Sequence, residues 1–280
     1  MVRVALNRGA ALVTAMLIAA LAAAVVATLA AGQSQWLRTV ELRRDRAQAE
    51  AIVLAGLAWT RQVLQEDARG PDVDHLSEPW ALPLPPTPLE GGLVEGAIVD
   101  AQGLLDVNHL DGESALARVA RDRLARLFAA SGIDAAALAQ LARPDGPPLV
   151  RAAEIALLPQ LGAAGHARLA ALVIALPAPA SLNVNTAPGA VLAAAVTGLD
   201  GERLDALLAQ RARNPFASFA DFRERLPAGA SVPSEAGFGV RSDFFLVTVR
   251  ARQGETLAQG RALLRRRGRD APEVVWQTVE

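Results

Sequence analysis

Cysteine is absent from the 280 residues, so disulfides and thiolate chemistry are excluded, as a periplasmic location permits but does not require. Histidine is scarce: His75, His109 and His166 fall in a loop, at a strand end and in a helix, without the i, i+4 spacing of a zinc site. Excess charge of either sign is also missing. The 28 Lys and Arg face 29 Asp and Glu, a net −1, and no global basic field recommends a nucleic acid as partner. No nucleophile motif, paired catalytic carboxylates or Walker loop occurs, so the chain reads as a non-enzyme.

What it does have is an uncharged run from Ala10 to Gly32, AALVTAMLIAALAAAVVATLAAG, behind a short basic leader, MVRVALNRG. The run is long enough to cross a bilayer as a helix of about 20 residues and longer than the core of an ordinary secretory signal. An Ala-x-Ala cleavage near Ala27 to Gly32 would remove it; the competing reading puts processing at Gly9-Ala10. Helical character favours the second, because QSQWLRTVELRRDRAQAEAIVLAGLAWTRQVLQED follows without a proline or turn cluster. The membrane helix becomes a stalk. Arg3 and Arg8 on one side and Arg38, Arg43 and Arg44 on the other, offset by Glu41 and Asp45, leave charge counting weak as a guide to orientation. Trp36 suits the membrane interface, whereas Trp59, Trp80 and Trp276 read as packing residues.

Beyond the stalk, GPDVDHLSEPWALPLPPTPLEGG is a proline-rich connector of extended or polyproline backbone, so the helix ends near Arg69. LVEGAIVDAQGLLDVNHL reads as a strand and a second extended segment around a turn at Ala101-Gln102-Gly103. From Glu113 the texture turns Ala/Leu/Arg-rich, and helical patterns persist to about Leu226, an insertion of roughly 115 residues. FFLVTVRARQGETLAQGRALLRRRG then alternates about a Gly-Glu turn, and VVWQTVE is a further strand. One strand before the helical block and three after it imply a single interrupted sheet.

Within the block, SLNVNTAPGAVLAAAVTGLDGERLDALLAQRARNPFASFADFRERL offers Ser181 or Asn185 as a helix cap, Pro188 in the first turn and Gly198-Leu199-Asp200-Gly201 as a tight connection. With Phe216, Phe219 and Phe222 behind it, the passage resembles the helix-hairpin-helix and SAM-like family, which often binds DNA through hairpin amides and nearby cations. Asp200 and Glu202 place negative charge where a phosphate would sit, which disfavours nucleic acid.

A basic leader ending in Gly9, an uncharged helix and its continuation outside resemble the N-terminus of type IV pilins and pseudopilins. The resemblance implies cleavage after Gly9 and methylation of Ala10 by a prepilin peptidase. Most members carry Glu at mature position five; this chain has Thr14 there, which removes the partner of a neighbour's N-terminal amine and points to a filament tip. Together with the large helical insertion, LNVNTAP and FGVRSDFFLVTV, the chain resembles the minor pseudopilin K family of the type II secretion system over nearly its whole length.

The fold so implied is α+β: a long N-terminal helix packed on a small antiparallel sheet, with an inserted all-α domain. The expected divisions are 1–9 leader, 10–32 transmembrane, 33–69 periplasmic helix, 70–112 connector and first strands, 113–228 inserted domain, and 229–280 final strands. The expected role is to initiate or cap a pseudopilus at the inner membrane, N-terminus cytoplasmic and the rest periplasmic, supporting export of folded proteins across the outer membrane. Expected partners are minor pseudopilins I and J, the prepilin peptidase and the inner-membrane assembly platform, with no nucleic acid. Ala19, Ala20, Ala23 and Ala27 permit close helix approach in the membrane, though alanine-rich coding accounts for each alone. Calcium is implied by the family, ligands unknown. Asp100, Asp106, Asn108, Asp111 and Glu113 offer hard oxygens without EF-hand spacing, and a solvated loop accounts for them. Two other readings stay open: an anchored DNA-binding protein built on the hairpin, and a minor pilin of a type IV pilus.

Overall fold

The computed structural model describes residues 3–141, 148–157, 161–232 and 237–280. Helix α1 (Arg3–Asp67) runs 65 residues without a break, roughly 97 Å at 1.5 Å per residue. Residues 9–44 are exposed throughout, and the segment is long and apolar enough to cross a membrane. From Asp45 onward one face turns inward. Ala49, Val53, Leu57, Thr60 and Leu64 are buried at spacings of three and four, the stripe a helix presents to a sheet.

That sheet has five strands in the order β1 (Leu84–Leu89), β2 (Gly92–Asp100), β7 (Phe244–Gln253), β8 (Thr256–Arg265), β9 (Glu273–Val279), each pair antiparallel. One face carries Ile98, Phe245, Val247, Val249, Ala251, Ala258, Ala262 and Leu264 against α1. Contact is close because Gly260 has no side chain: a Cβ there would lie 2.3 Å from a Val53 methyl. Trp80 closes this core edge-on to Phe245, ring centroids 5.2 Å apart.

Strand β1 corrects the expectation of a single strand before the block. Pro85, Pro86 and Pro88 lack a donor, but at a sheet edge none is needed on the outer side. The register breaks between Leu84 and Thr87 and resumes at Thr87 against Val94. The extended backbone was foreseen, and its pairing was not.

Between β2 and β7 the chain makes a long excursion and returns to the adjacent strand, so that Asp100 faces Phe245. The second extended segment supplies only β3 (Leu105–Asp106), which runs parallel to β4 (Val173–Ile174) away from the main sheet. Helix α2 (Ala115–Ala130) starts at Ser114, whose hydroxyl accepts from Ala117 N at 3.1 Å. Helices α3 (Ala135–Leu141), α4 (Gly162–Leu169), α5 (Gly189–Ala195), α6 (Gly201–Arg213) and α7 (Phe219–Glu224) follow, and β5 (Leu182–Asn183) pairs in parallel with β6 (Phe238–Gly239). Their core, from Leu124 and Phe128 through Val191 and Leu192 to Phe216 and Phe222, is a cluster separate from the one under α1. The architecture is α+β, a long helix on an antiparallel sheet with a helical block inserted between neighbouring strands.

Candidate functional site

The N-terminal site residues all lie on α1. Gly9, Ala10 and Thr14 are exposed, and the Thr14 hydroxyl donates to the carbonyls of Ala10 at 3.0 Å and Ala11 at 2.9 Å. It is satisfied by its own helix, as are the hydroxyls of Thr28, Ser34 and Thr39. The position thus offers neither a carboxylate nor an unsatisfied polar group to a neighbour.

The second site lies where the block meets the sheet, and LNVNTAP builds half of it. The β5–β6 pairing points Asn183 into a buried polar cluster. Its Nδ2 donates to Asp100 Oδ2 at 2.9 Å, Ser242 Oγ at 3.0 Å and the Asp74 carbonyl at 3.2 Å. Asp100 Oδ2 also accepts from Thr186 Oγ1 and Ser242 Oγ, both at 2.6 Å, while Oδ1 accepts from Gln102 N at 2.8 Å. Ser242 N donates to Asp74 Oδ2 at 2.6 Å. Arg266 donates from Nη2 to both Asp74 oxygens and the Ser242 carbonyl, and from Nη1 to Asp67 Oδ2, each at 2.6 Å. A continuous chain of charge-assisted bonds therefore joins the last turn of α1 to the inserted block.

Asn185 and Ser181 do not cap α5, whose N-cap is Pro188 without a side-chain bond. Instead Asn185 is buried and clamps Phe216, donating to its carbonyl at 2.9 Å and accepting from its N–H at 2.8 Å. A side-chain amide carries both a donor and an acceptor, so this one residue satisfies both backbone groups of Phe216. From α6, Arg211 donates to the carbonyls of Val184 and Ala187, and burial lowers its pKa. The α5–α6 hairpin is covered by the following segment: Thr197 and Ser231 exchange two backbone bonds of 2.9 Å, and Gly198 lies against the Gly229 carbonyl.

Burial pushes the Asp100 carboxyl up to about 6, against the Ser242, Thr186 and Gln102 donors that hold it down. Burial likewise raises Asp67 to about 6, with Glu78 and Asp74 adding to the rise and Arg266 opposing it. Burial disfavours the Arg266 guanidinium, but Asp74, Asp67 and Asp243 outweigh it and the net shift is upward. Because the folded pKa of Asp100 stands above its ordinary 3.8, its contribution to stability is full below that value and is lost as pH rises through about 6. Between pH 5 and pH 7 the loss is on the order of 1 kcal/mol. Thermal melts at those two pH values should show a larger drop for the parent than for Asp100→Asn; equal drops would remove Asp100 as the titrating group.

The acidic stretch departs from a solvated loop. Asp100 is 3% exposed. Asp106 accepts from Asn108 N at 3.1 Å and Leu176 N at 3.0 Å and meets the His109 ring, and the Asn108 amide is spent on Leu149 and Leu176. Only Asp111 and Glu113 face solvent. Among the described residues no three His, Cys, Asp or Glu gather to hold a metal, and this stretch does not fit a calcium ion because its inner oxygens are already committed to protein donors. His75 bonds Ser77, and the side chain of His166 lies outside the described residues. Trp36 is exposed and Trp80 buried, but Trp59 is 56% exposed, contrary to a packing role within this chain. Asp74, Gln102, Ser242 and Arg266 carry the cluster without having been foreseen. Single polar residues in a connector and at strand ends have no periodicity to betray them.

The family model for protein K of the type II secretion system matches residues 182–241, the stretch holding Asn183, Asn185, Thr186 and the approach to Ser242. The chain is 29% identical over 279 residues to the type II secretion system protein K of Pseudomonas aeruginosa, covering 86% of this chain and 83% of that protein. It is 28% identical over 302 residues to protein K of Pectobacterium carotovorum subsp. carotovorum, covering 92% of each. A chain in the crystal structure of the GspK-GspI-GspJ complex from the enterotoxigenic Escherichia coli type 2 secretion system shares the fold, with TM-score 0.72 and 21% identity over 87% of this chain and 99% of that one. The match across the buried cluster, the two relatives and the common fold agree, and each likens the chain to protein K of the type II secretion system.

Proposed function

We propose that this chain is the tip subunit of the pseudopilus, starting or capping the filament with pseudopilins I and J and acting by assembly, not catalysis. The observation that carries this reading is where the block is rooted. Asp67, in the last turn of α1, bonds Arg266; Arg266 bonds Asp74 and Ser242; and Ser242 bonds Asp100, where the block begins. The opposite end of the sheet, at the Gly254 turn, lies beside Asp45, near the start of the packed part of α1. The block therefore sits at the end of α1 farthest from the apolar segment, in the place that a next subunit stacked along the helix would need.

Thr14 agrees with this, since a subunit with nothing above it has no neighbouring amine to neutralise. Residues 10–32 span the inner membrane with the N-terminus cytoplasmic, after a prepilin peptidase has cut between Gly9 and Ala10, and the assembly platform receives the processed subunit. Pseudopilins I and J are the partners because the structural relative occurs in a complex with them. The part from about Gln33 onward, mixed with the periplasmic parts of its I and J counterparts, should elute as a one-to-one-to-one complex by size-exclusion chromatography with light scattering. A monomer in the presence of folded partners would overturn the tip reading.

A further inference from the structure

Among the described residues the two larger apolar clusters lie under α1 and inside the block. Between them lies a small apolar patch, Ala101, Ile174, Leu176, Phe244 and Leu263, and the Asp100 cluster. Apolar contact is not directional and would tolerate a range of tilts, whereas buried donors and acceptors are satisfied only in a narrow geometry and are costly to leave unmade. The chain crosses the seam twice, outward after Asp100 and back before Phe244, and both crossings are tied to the cluster.

On the outward crossing, Asp100 holds Gln102 N. The Gln102 side chain then reaches both ways, donating to the Ser181 carbonyl at 2.9 Å and accepting from Asp243 N at 2.6 Å and Phe244 N at 3.2 Å. Gly103 lets the block approach: a Cβ there would stand 2.9 Å from Thr186 Oγ1 and 3.1 Å from its carbonyl carbon. On the return, Ser242 gives its hydroxyl to Asp100 and its N–H to Asp74.

We propose that Asp100, Asn183, Thr186 and Ser242 form the joint that sets the angle of the inserted block on the stalk, making the block a rigid extension of α1. These are positioning residues, and the proposal stands whether or not the subunit caps a filament. Two separately packed bodies meeting at a polar seam have the anatomy of a hinge, and Asp100, with its three donors on one oxygen, locks it.

Because the chain has no cysteine, spin labels can be placed at will in the full-length protein in lipid nanodiscs. Glu255→Cys on the β7–β8 turn with Asp205→Cys on α6 reads the distance between bodies; Arg118→Cys with Asp205→Cys reads a distance inside the block. In the parent both distributions are narrow. Thr186→Val combined with Ser242→Ala, which strips the two hydroxyls from Asp100, should widen the first about twofold and leave the second unchanged, while Thr186→Ser alone keeps both narrow. If both widen, the cluster holds the block folded and does not set its angle. If neither widens, the apolar patch alone fixes the orientation. Either result overturns the proposal.

Discussion

Replacing Arg266 by methionine should cost roughly 3–5 kcal/mol of stability, the penalty for stranding a buried charge. The guanidinium is 3% exposed and lies 2.6 Å from both Asp67 and Asp74. Without it, two carboxylates remain in the interior with each other for company, and Glu78 adds to the repulsion on Asp67. Urea denaturation followed by circular dichroism reads the loss directly. The mechanism makes a further demand: adding Asp67→Asn and Asp74→Asn to the methionine variant should recover part of it, because neutral amides no longer need a cation. No recovery would mean that Arg266 acts through its packing over the Phe245 ring, 4.9 Å away.

Phe222→Ala should be comparably severe, about 3–5 kcal/mol for a truncated core aromatic, but its effect should fall on one body. Phe222 is fully buried and packs edge-on to Phe216 at 5.0 Å, with Phe219 and Phe238 stacked beside it and the Arg123 guanidinium 3.9 Å over Phe238. None of these rings belongs to the core beneath α1. Hydrogen exchange should therefore show amides of α5 to α7 losing protection while β7 and β8 keep theirs. Uniform loss across both bodies would show that they unfold as one unit.

The apolar helix and the final strands were legible because their signals lie along the chain, one as an unbroken run and the other as alternation. An uncharged run of bilayer length admits few structures in water, and the alternation of FFLVTVRARQ and TLAQGRALLR survives intact in β7 and β8. The order of elements was legible too, since a helical texture between strand patterns has to interrupt a sheet. What escaped is what depends on tertiary partners. Prolines masked β1 because their fitness for a strand rests on which edge they occupy. Asn183 and Asn185 were visible in a motif, with Asn185 offered as a cap, because a local role is all a sequence window displays; the acceptors of their amide nitrogens lie 31 to 109 residues away. Arg266 stands in an arginine run, and nothing in RRR distinguishes the residue that is buried from its exposed neighbour Arg267.

The unbroken course of α1 has a mechanical consequence. Its packed face lies along β7 and β8, with Ala49, Val53, Leu57 and Leu64 spread over four turns, so a push or pull applied at the membrane end reaches the sheet as shear shared among many contacts. No proline or second helix interrupts the path, and at its far end the Asp67–Arg266 bridge stops the helix from sliding past the strands. Displacement of the anchor along its axis is thus delivered to the inserted block nearly undiminished. The fold is built as a strut, and a load applied at the apolar end of α1 is felt at its opposite end.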